Sequence, residues 1–238
     1  MMLATIALAI ALSQATATSS PPSAKAVQAS ATATAQIRFS FEHPQLDPGS
    51  YTLLIRQDGS GHYQSVARST GGLDASGGID PSPIASTSIG RDIEIRDPLL
   101  SAFFQSARSH QFFAIECEAA GNHVAFTGKK TVSYTGPDGR GECTYNWSHD
   151  QQLNQLADDL MAVAYTIEEG RRLALEHVHS RLSLDAELET LQDAAKDRRA
   201  LELENISSEL TSIANDEAVM KRARNRAQAL LNGGGSRH

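Results

Sequence analysis

The sequence predicts an α+β fold: an antiparallel sheet with packed helices, followed by a long C-terminal helical tail. Two observations carry this. Apolar residues alternate with a period of two in short runs between residues 37 and 147, and from residue 148 onward they recur every three or four positions. A third is that the same turn signal, Asp-Gly-x-Gly, separates two pairs of alternating runs, in "YTLLIRQDGSGHYQS" and "KTVSYTGPDGRGECTYNWS". With 238 residues, 40% hydrophobic but only 5% aromatic, the chain has material for one compact domain and an appendage, or two small domains. The predicted division is a signal peptide over residues 1–17, a disordered linker over 18–36, the α+β domain over 37–169, the helical tail over 170–232 and a disordered end over 233–238.

The opening stretch "MMLATIALAIALSQATATSS" holds an uncharged run at residues 3–12 and then Ala15-Thr16-Ala17, a small-residue triplet suited to leader-peptidase cleavage after Ala17. The run is shorter than the roughly 20 apolar residues needed to span a bilayer. The expected product is therefore secreted or periplasmic, with no transmembrane segment. The Ala, Ser, Thr and Pro that follow cannot form a core and are expected to remain a tether.

The first strand is expected at Ile37, Phe39 and Phe41, and the second at Tyr51, Leu53 and Ile55. The chain returns after Asp58-Gly59-Ser60-Gly61 as a hairpin. A Gly/Ser/Pro-rich loop at residues 69–88 precedes a short strand around Ile93 and Ile95. Asp97-Pro98 signals a helix start, with Leu99, Leu100, Phe103, Phe104 and Ala107 as its apolar stripe. Further strands are expected at residues 111–118 and near 123–127, then a hairpin at 130–147. The spacing places Phe113, Ile115 and Cys117 on one side, and Cys143, Tyr145 and Trp147 likewise.

Ser148-His149-Asp150-Gln151 fits a capping box, and Leu153, Leu156, Leu160, Val163 and Ile167 form one stripe to pack on the sheet. Gly170 is expected to bend or end that helix, since glycine costs about 1 kcal/mol relative to alanine within a helix. A longer helix is expected over residues 183–231. Its seam residues Leu184, Leu188, Leu191 and Ala195 stand one residue out of heptad register with Leu203, Ile206, Leu210 and Ile213. Such a skip relaxes supercoiling, so the tail reads as a nearly straight, intermittently packed helix and not a long regular coiled coil. Its narrow stripe needs a surface, and association through Leu203, Ile206, Leu210 and Ile213 is the expectation.

Each Asp-Gly-x-Gly offers one carboxylate beside glycine and is followed by a strand. A calcium loop needs several alternating oxygen ligands, and a phosphate cradle needs a following helix N-terminus. Both copies therefore read as turns, with Gly59 and Gly139 supplying positive φ.

"YTLLIRQDGSGHY" followed by "LLSAFFQSARSHQFFAIECE" resembles small bacterial secreted domains of unknown function, which carry a Y-x-hydrophobic-x-I-x-x-D-G-x-G-x-Y hairpin and then a helix with paired Phe. The resemblance implies an exported α+β layout and no catalytic residues.

Three constellations bear on chemistry. In an oxidising compartment Cys117 and Cys143 are expected to form a disulfide. The rival is a metal site of Cys117, His123, Cys143 and His149, built on a twofold C-x5-H spacing with ligand types that zinc accepts. Glu176, His177 and His179 lie close in sequence, but the two histidines are about 200° apart on a helix and cannot share one metal. An acidic stretch at residues 185–217 is followed by a basic block, Lys221 to Arg226, which either allows antiparallel pairing of two copies or marks an exposed helix whose end charges suit its dipole.

A formal charge of −7 excludes nucleic acid as the default partner. The expected function is an exported, non-catalytic binding or interaction protein, with an unknown protein partner or a second copy held through the tail and no cofactor. The alternative is a small periplasmic hydrolase or metal-dependent enzyme using His123, His149 and the cysteines.

Overall fold

The computed structural model describes residues 34–66, 88–119 and 125–234. The leader, most of the linker and His123 lie outside the described residues. Alternation becomes structure in the strands β1 (Gln36–Glu42), β2 (Ser50–Arg56), β3 (Ser60–Val66), β4 (Ile89–Glu94), β5 (Lys129–Gly136) and β6 (Gly139–Tyr145). They form one six-stranded antiparallel sheet in the order β4-β3-β2-β1-β5-β6, with β1 paired to both β2 and β5. Along β1, Ile37, Phe39 and Phe41 are buried while the residues between them face outward. Register is thereby fixed, because a slip by one residue would turn this whole apolar row to water.

Helix α1 (Leu99–Ser109) buries Phe103, Phe104 and Ala107 as the spacing predicts. Asp97 Oδ1 accepts the N–H of Ser101 at 3.1 Å, so its side chain serves the first turn. Beyond α1 the chain departs from expectation. Residues 111–118 are not a strand: Gln111, Phe112 and Phe113 take positive φ of 52°, 59° and 66°, and a short turn, Gln111–Phe113, sends the chain back along β6. The cause lies in the second hairpin. A Cβ on Gly139 would stand 2.2 Å from the Phe112 ring, and one on Gly141 would stand 2.6 Å from the Phe112 carbonyl oxygen. The two glycines leave a flat strip on which this segment lies. Gly139 is absent from the positive-φ residues and Gly59 is among them, at 88°, so the glycines of the two turns serve different purposes. The second short strand is also absent among the described residues, since 125–128 are irregular.

Helix α2 (Gln151–His179) runs unbroken through Gly170. Its cap is Asp150, two residues beyond the expected Ser148: Oδ1 of Asp150 accepts from the N–H groups of Gln152 at 2.9 Å and Leu153 at 3.1 Å. Gly170 is buried, and a Cβ there would stand 2.3 Å from Ile206 Cγ2. It is a contact glycine, not a breaker.

The single long tail helix is corrected to three helices, α3 (Leu184–Lys196), α4 (Ser207–Asn215) and α5 (Lys221–Gly234). The chain turns at Arg198 and Glu202, both with positive φ, and the residue skip in the seam coincides with this break. Two apolar clusters result. One joins the sheet to α1 and to α2 from Leu153 to Ile167, and the other joins Leu173 of α2 to α3, α4 and α5. All the described residues belong to one compact unit.

Side chains of the tail finish the sheet. Asn205 accepts the N–H of Glu94 at 2.8 Å through Oδ1 and donates to the Glu94 carbonyl at 2.9 Å, so one amide stands where a further strand would pair on β4. Beside it, Arg91 donates to Glu209 at 2.7 Å.

A cleft between the sheet and the long helix

Phe41, Tyr51 and Tyr63 point from the inner face of three neighbouring strands. Phe41 sits opposite Tyr51 in register, and Tyr63 sits diagonally across from Tyr51. The rings pack in one continuous row, with centroids 5.3 Å apart for Phe41–Tyr51 and 5.8 Å for Tyr51–Tyr63; Phe41 and Tyr63 are buried and Tyr51 is the partly exposed one. Facing them, α2 presents Asp158, Ala162, Tyr165, Glu169 and Arg172, a row at spacings of three and four that turns one side of the helix to the cleft. The loop after α3 closes the far side with Asp197, Arg198 and Arg199. The space between measures about 740 Å³, within the range of small-molecule sites.

The polar groups of this cleft are unevenly satisfied. Glu168 is fully engaged: the Tyr63 hydroxyl donates to Oε1 at 2.7 Å and Arg171 Nε donates to Oε2 at 2.7 Å. Glu169 is 2% exposed, and Oε1 lies 3.3 Å from Arg172 Nη1 while Oε2 has no hydrogen-bond partner. Burial pushes its carboxyl above the usual glutamate value against the opposing charge of Arg172, with the carboxylates of Glu187, Glu176 and Glu168 adding to the rise. Burial likewise raises the Tyr51 and Tyr63 hydroxyls, and the charge of Glu168 adds to both. Burial raises Asp158 too, against the pull of Lys130.

A second cavity of about 680 Å³ lies between the start of α1, residues 200–204 and the end of α5. Glu202 lines it with φ of 56°, accepts the N–H of Arg96 at 3.3 Å, and is pushed up to about 7, chiefly by burial.

The residues singled out in the sequence fall elsewhere. Cys117 and Cys143 form a disulfide with Cα atoms 5.9 Å apart, which ties the segment after the left-handed turn to β6. Both sulfurs are thereby withdrawn from metal ligation. His149 packs edge-on against Trp147 at 4.6 Å, and among the described residues no three His, Cys, Asp or Glu side chains converge as ligands. The Glu176, His177 and His179 cluster disperses: Glu176 is buried, His177 Nε2 lies 2.8 Å from Asp216 and His179 is exposed. Ile206, Leu210 and Ile213 are fully buried inside the chain, and Leu203 is half-buried on the wall of the second cavity. The stripe that lacked a surface in the sequence has one here. The acidic and basic blocks also meet within the chain, where Asp185 and Glu189 of α3 pair with Arg226 of α5 at 3.0 and 2.9 Å.

The cleft residues were in view but assigned other work. Tyr51 and Tyr63 read only as strand residues of the first hairpin, and Glu169 and Arg172 fell at the expected bend around Gly170. The signal was a second stripe on α2, in which Thr166, Glu169, Leu173 and Glu176 follow helical spacing and all are buried, with acids at apolar positions. No protein-family model matches this chain, and no curated protein matches it significantly.

Proposed function

We propose that this is an exported, non-catalytic binding protein that holds a small solute in the cleft between the sheet and α2. One observation carries the reading: a cleft of about 740 Å³ between the sheet and α2 is bordered by the half-buried rings of Tyr51 and Tyr165 and by charged side chains of both signs. Buried polar atoms are nearly always hydrogen-bonded, because desolvating one without compensation costs about 1–3 kcal/mol. Glu169 borders the 740 Å³ cleft with Oε2 unpaired but closed to solvent, so a ligand donor would satisfy that oxygen only after the carboxylate turns toward the cleft. Export is supported by the apolar run at residues 3–12, the Ala15-Thr16-Ala17 triplet and the disulfide, which persists in oxidising compartments. In this reading the tail walls the cleft and covers β4.

The test is a thermal-shift screen of small solutes on the purified protein, with Gln155→Trp as the blocking variant. Gln155 is exposed at the cleft, so the bulky ring narrows it without entering the core. Solutes that raise the melting temperature of the wild type should lose that effect in Gln155→Trp. Stabilisation of both proteins by the same solutes would place the site elsewhere.

A further inference from the structure

We infer that the second cavity is a separate binding site for an aliphatic amine, whose ammonium group donates to the open oxygen of Glu202. The site is independent of the cleft, with which it shares only Asp159 and Arg198. Its space of about 680 Å³ suits a small molecule, and its apolar surface can be reached: Leu99, Leu201 and Leu203 are half-buried, and Ala102 and Ala229 are exposed. The lining side chains include no aromatic ring, so the wall fits an aliphatic body and offers nothing to stack on.

Glu202 is the polar group left open on this wall. Its backbone φ of 56° is a conformation that residues other than glycine keep only where their surroundings impose it, and two contacts do so. The Arg96 N–H donates to Oε1 at 3.3 Å, and Asn205 Nδ2 donates to the Glu202 carbonyl at 3.3 Å. Oε2 has no hydrogen-bond partner. Among the described residues the unpaired polar atoms closed to solvent belong to Glu169, Arg171, Glu176 and Arg224, so this oxygen is accessible. The charges around it favour a cation. Each cation bordering the cavity already has a carboxylate: Arg96 lies 3.6 Å from both Glu94 and Glu204, Lys196 lies 2.8 Å from Asp193 and Arg198 lies 3.4 Å from Asp159. Asp97 is engaged by the N–H and hydroxyl of Ser101, whereas Glu202 has no cation of its own. Burial pushes its carboxyl up to about 7, and the charges of Glu204 and Glu94 add to the rise against the N–H and charge of Arg96. An ammonium group supplies the missing counter-charge, and the carbon chain behind it covers the apolar wall.

Three probes that share one carbon chain and differ in their head group test the inference: hexylamine, a cation, N-hexylacetamide, neutral, and hexanoate, an anion. Each is titrated into isotopically labelled protein and followed by NMR at the methyl groups of Leu99, Leu201 and Leu203. Hexylamine should shift these signals and bind about tenfold or more tightly than the other two, the scale of one hydrogen bond to a charged group. Hexylamine stays charged between about pH 6 and about pH 8, whereas Glu202 ionises there, so its affinity should rise about tenfold over that interval. Glu202→Gln should flatten this profile, weaken hexylamine about tenfold at the upper end and leave N-hexylacetamide unchanged. Glu217→Gln, an exposed carboxylate that lines neither cavity, should change nothing, which separates a local acceptor from attraction to a negatively charged protein. Ala229→Trp should fill the cavity and abolish binding, whereas Gln155→Trp, in the cleft, should not affect it. If Ala229→Trp does not fold, Ala102→Trp, exposed on the opposite element, replaces it. Equal binding of the neutral or anionic probe overturns the cation, and a flat pH profile in the wild type overturns the role of Glu202. Methyl signals unmoved by all three probes, or hexylamine binding that survives the blocking tryptophan, overturns the site and leaves the reading of the cleft untouched.

Discussion

At the scale of single residues, the same four-letter turn does two jobs. Asp58 accepts from the N–H of Ser60 at 2.9 Å and its hydroxyl at 2.7 Å, a local turn that asparagine can reproduce. Asp138 instead takes the Tyr134 hydroxyl on one oxygen and Arg108 Nε at 2.9 Å on the other, tying the hairpin to α1. Hydrogen bonds from Tyr134 and Arg108 hold its carboxyl below the usual aspartate value. Asp58→Asn should leave the melting temperature nearly unchanged, and Asp138→Ala should lower it measurably. The Asp138 contribution is present above the unfolded-state value and is lost as pH falls through the depressed folded one, so the gap between wild type and Asp138→Ala should close in acid. Gly170 gives a sharper contrast. Propensity alone predicts that Gly170→Ala stabilises α2 by about 1 kcal/mol. The new methyl would collide with Cγ2 and Cβ of Ile206, so the net effect should be a loss of about 1–2 kcal/mol, since overpacking costs about 1–3 kcal/mol. Introducing Gly170→Ala into an Ile206→Ala background removes the Cγ2 clash but keeps Cβ at 2.9 Å, so the penalty should shrink without vanishing, and chemical denaturation of the four proteins reads the coupling.

At the scale of elements, the junction between the tail and β4 carries two carboxylates with opposite pH behaviour. Glu209 is raised by burial, but the donors of Arg91 and Ser208 outweigh that and hold it low, so its contribution is kept at neutral pH and lost in acid. Glu202 is pushed by burial from 4.5 to about 7. Between those values only the folded chain holds the proton, so its contribution falls as pH rises through that window. Glu202→Gln should therefore be more stable than wild type at pH 8, with the difference vanishing below about pH 4.5, as denaturation at a series of pH values would show. A stabilisation of Glu202→Gln that stayed constant across pH would refute this. The strands, α1 and the stripe of α2 were legible because burial on one face imposes a period on the sequence. The turn at Gln111–Phe113 was not, because its cause is the bare surface of Gly139 and Gly141, distant in sequence. The tail's breaks at Arg198 and Glu202 left only a phase skip, and the cleft stayed hidden because its aromatic and acidic walls come from separate elements.

At the scale of the whole molecule, the sheet cluster and the helical cluster share α2, so they should melt together. Trp147, the single tryptophan, reports on the sheet end. Leu210→Ala removes a fully buried side chain from the other cluster and should cost about 3 kcal/mol. The loss should appear in the Trp147 fluorescence transition as one cooperative step, and an unchanged Trp147 midpoint would mean the two clusters unfold separately. The Cys117–Cys143 bridge closes a loop with sequence separation 26 and should contribute about 3 kcal/mol by loop entropy. Thiol titration under denaturing, non-reducing conditions should find no free sulfhydryl. The clasp of Asn205 on Glu94 has a temporal meaning as well. Those two residues are 111 positions apart, so during synthesis the edge of β4 stays bare until nearly the whole chain is present. A ribosome stalled before residue 205, or a protease cutting there, would release a sheet with an open, hydrogen-bond-hungry margin that pairs with its own kind, so incomplete chains should accumulate as β-rich aggregates while complete ones stay dispersed.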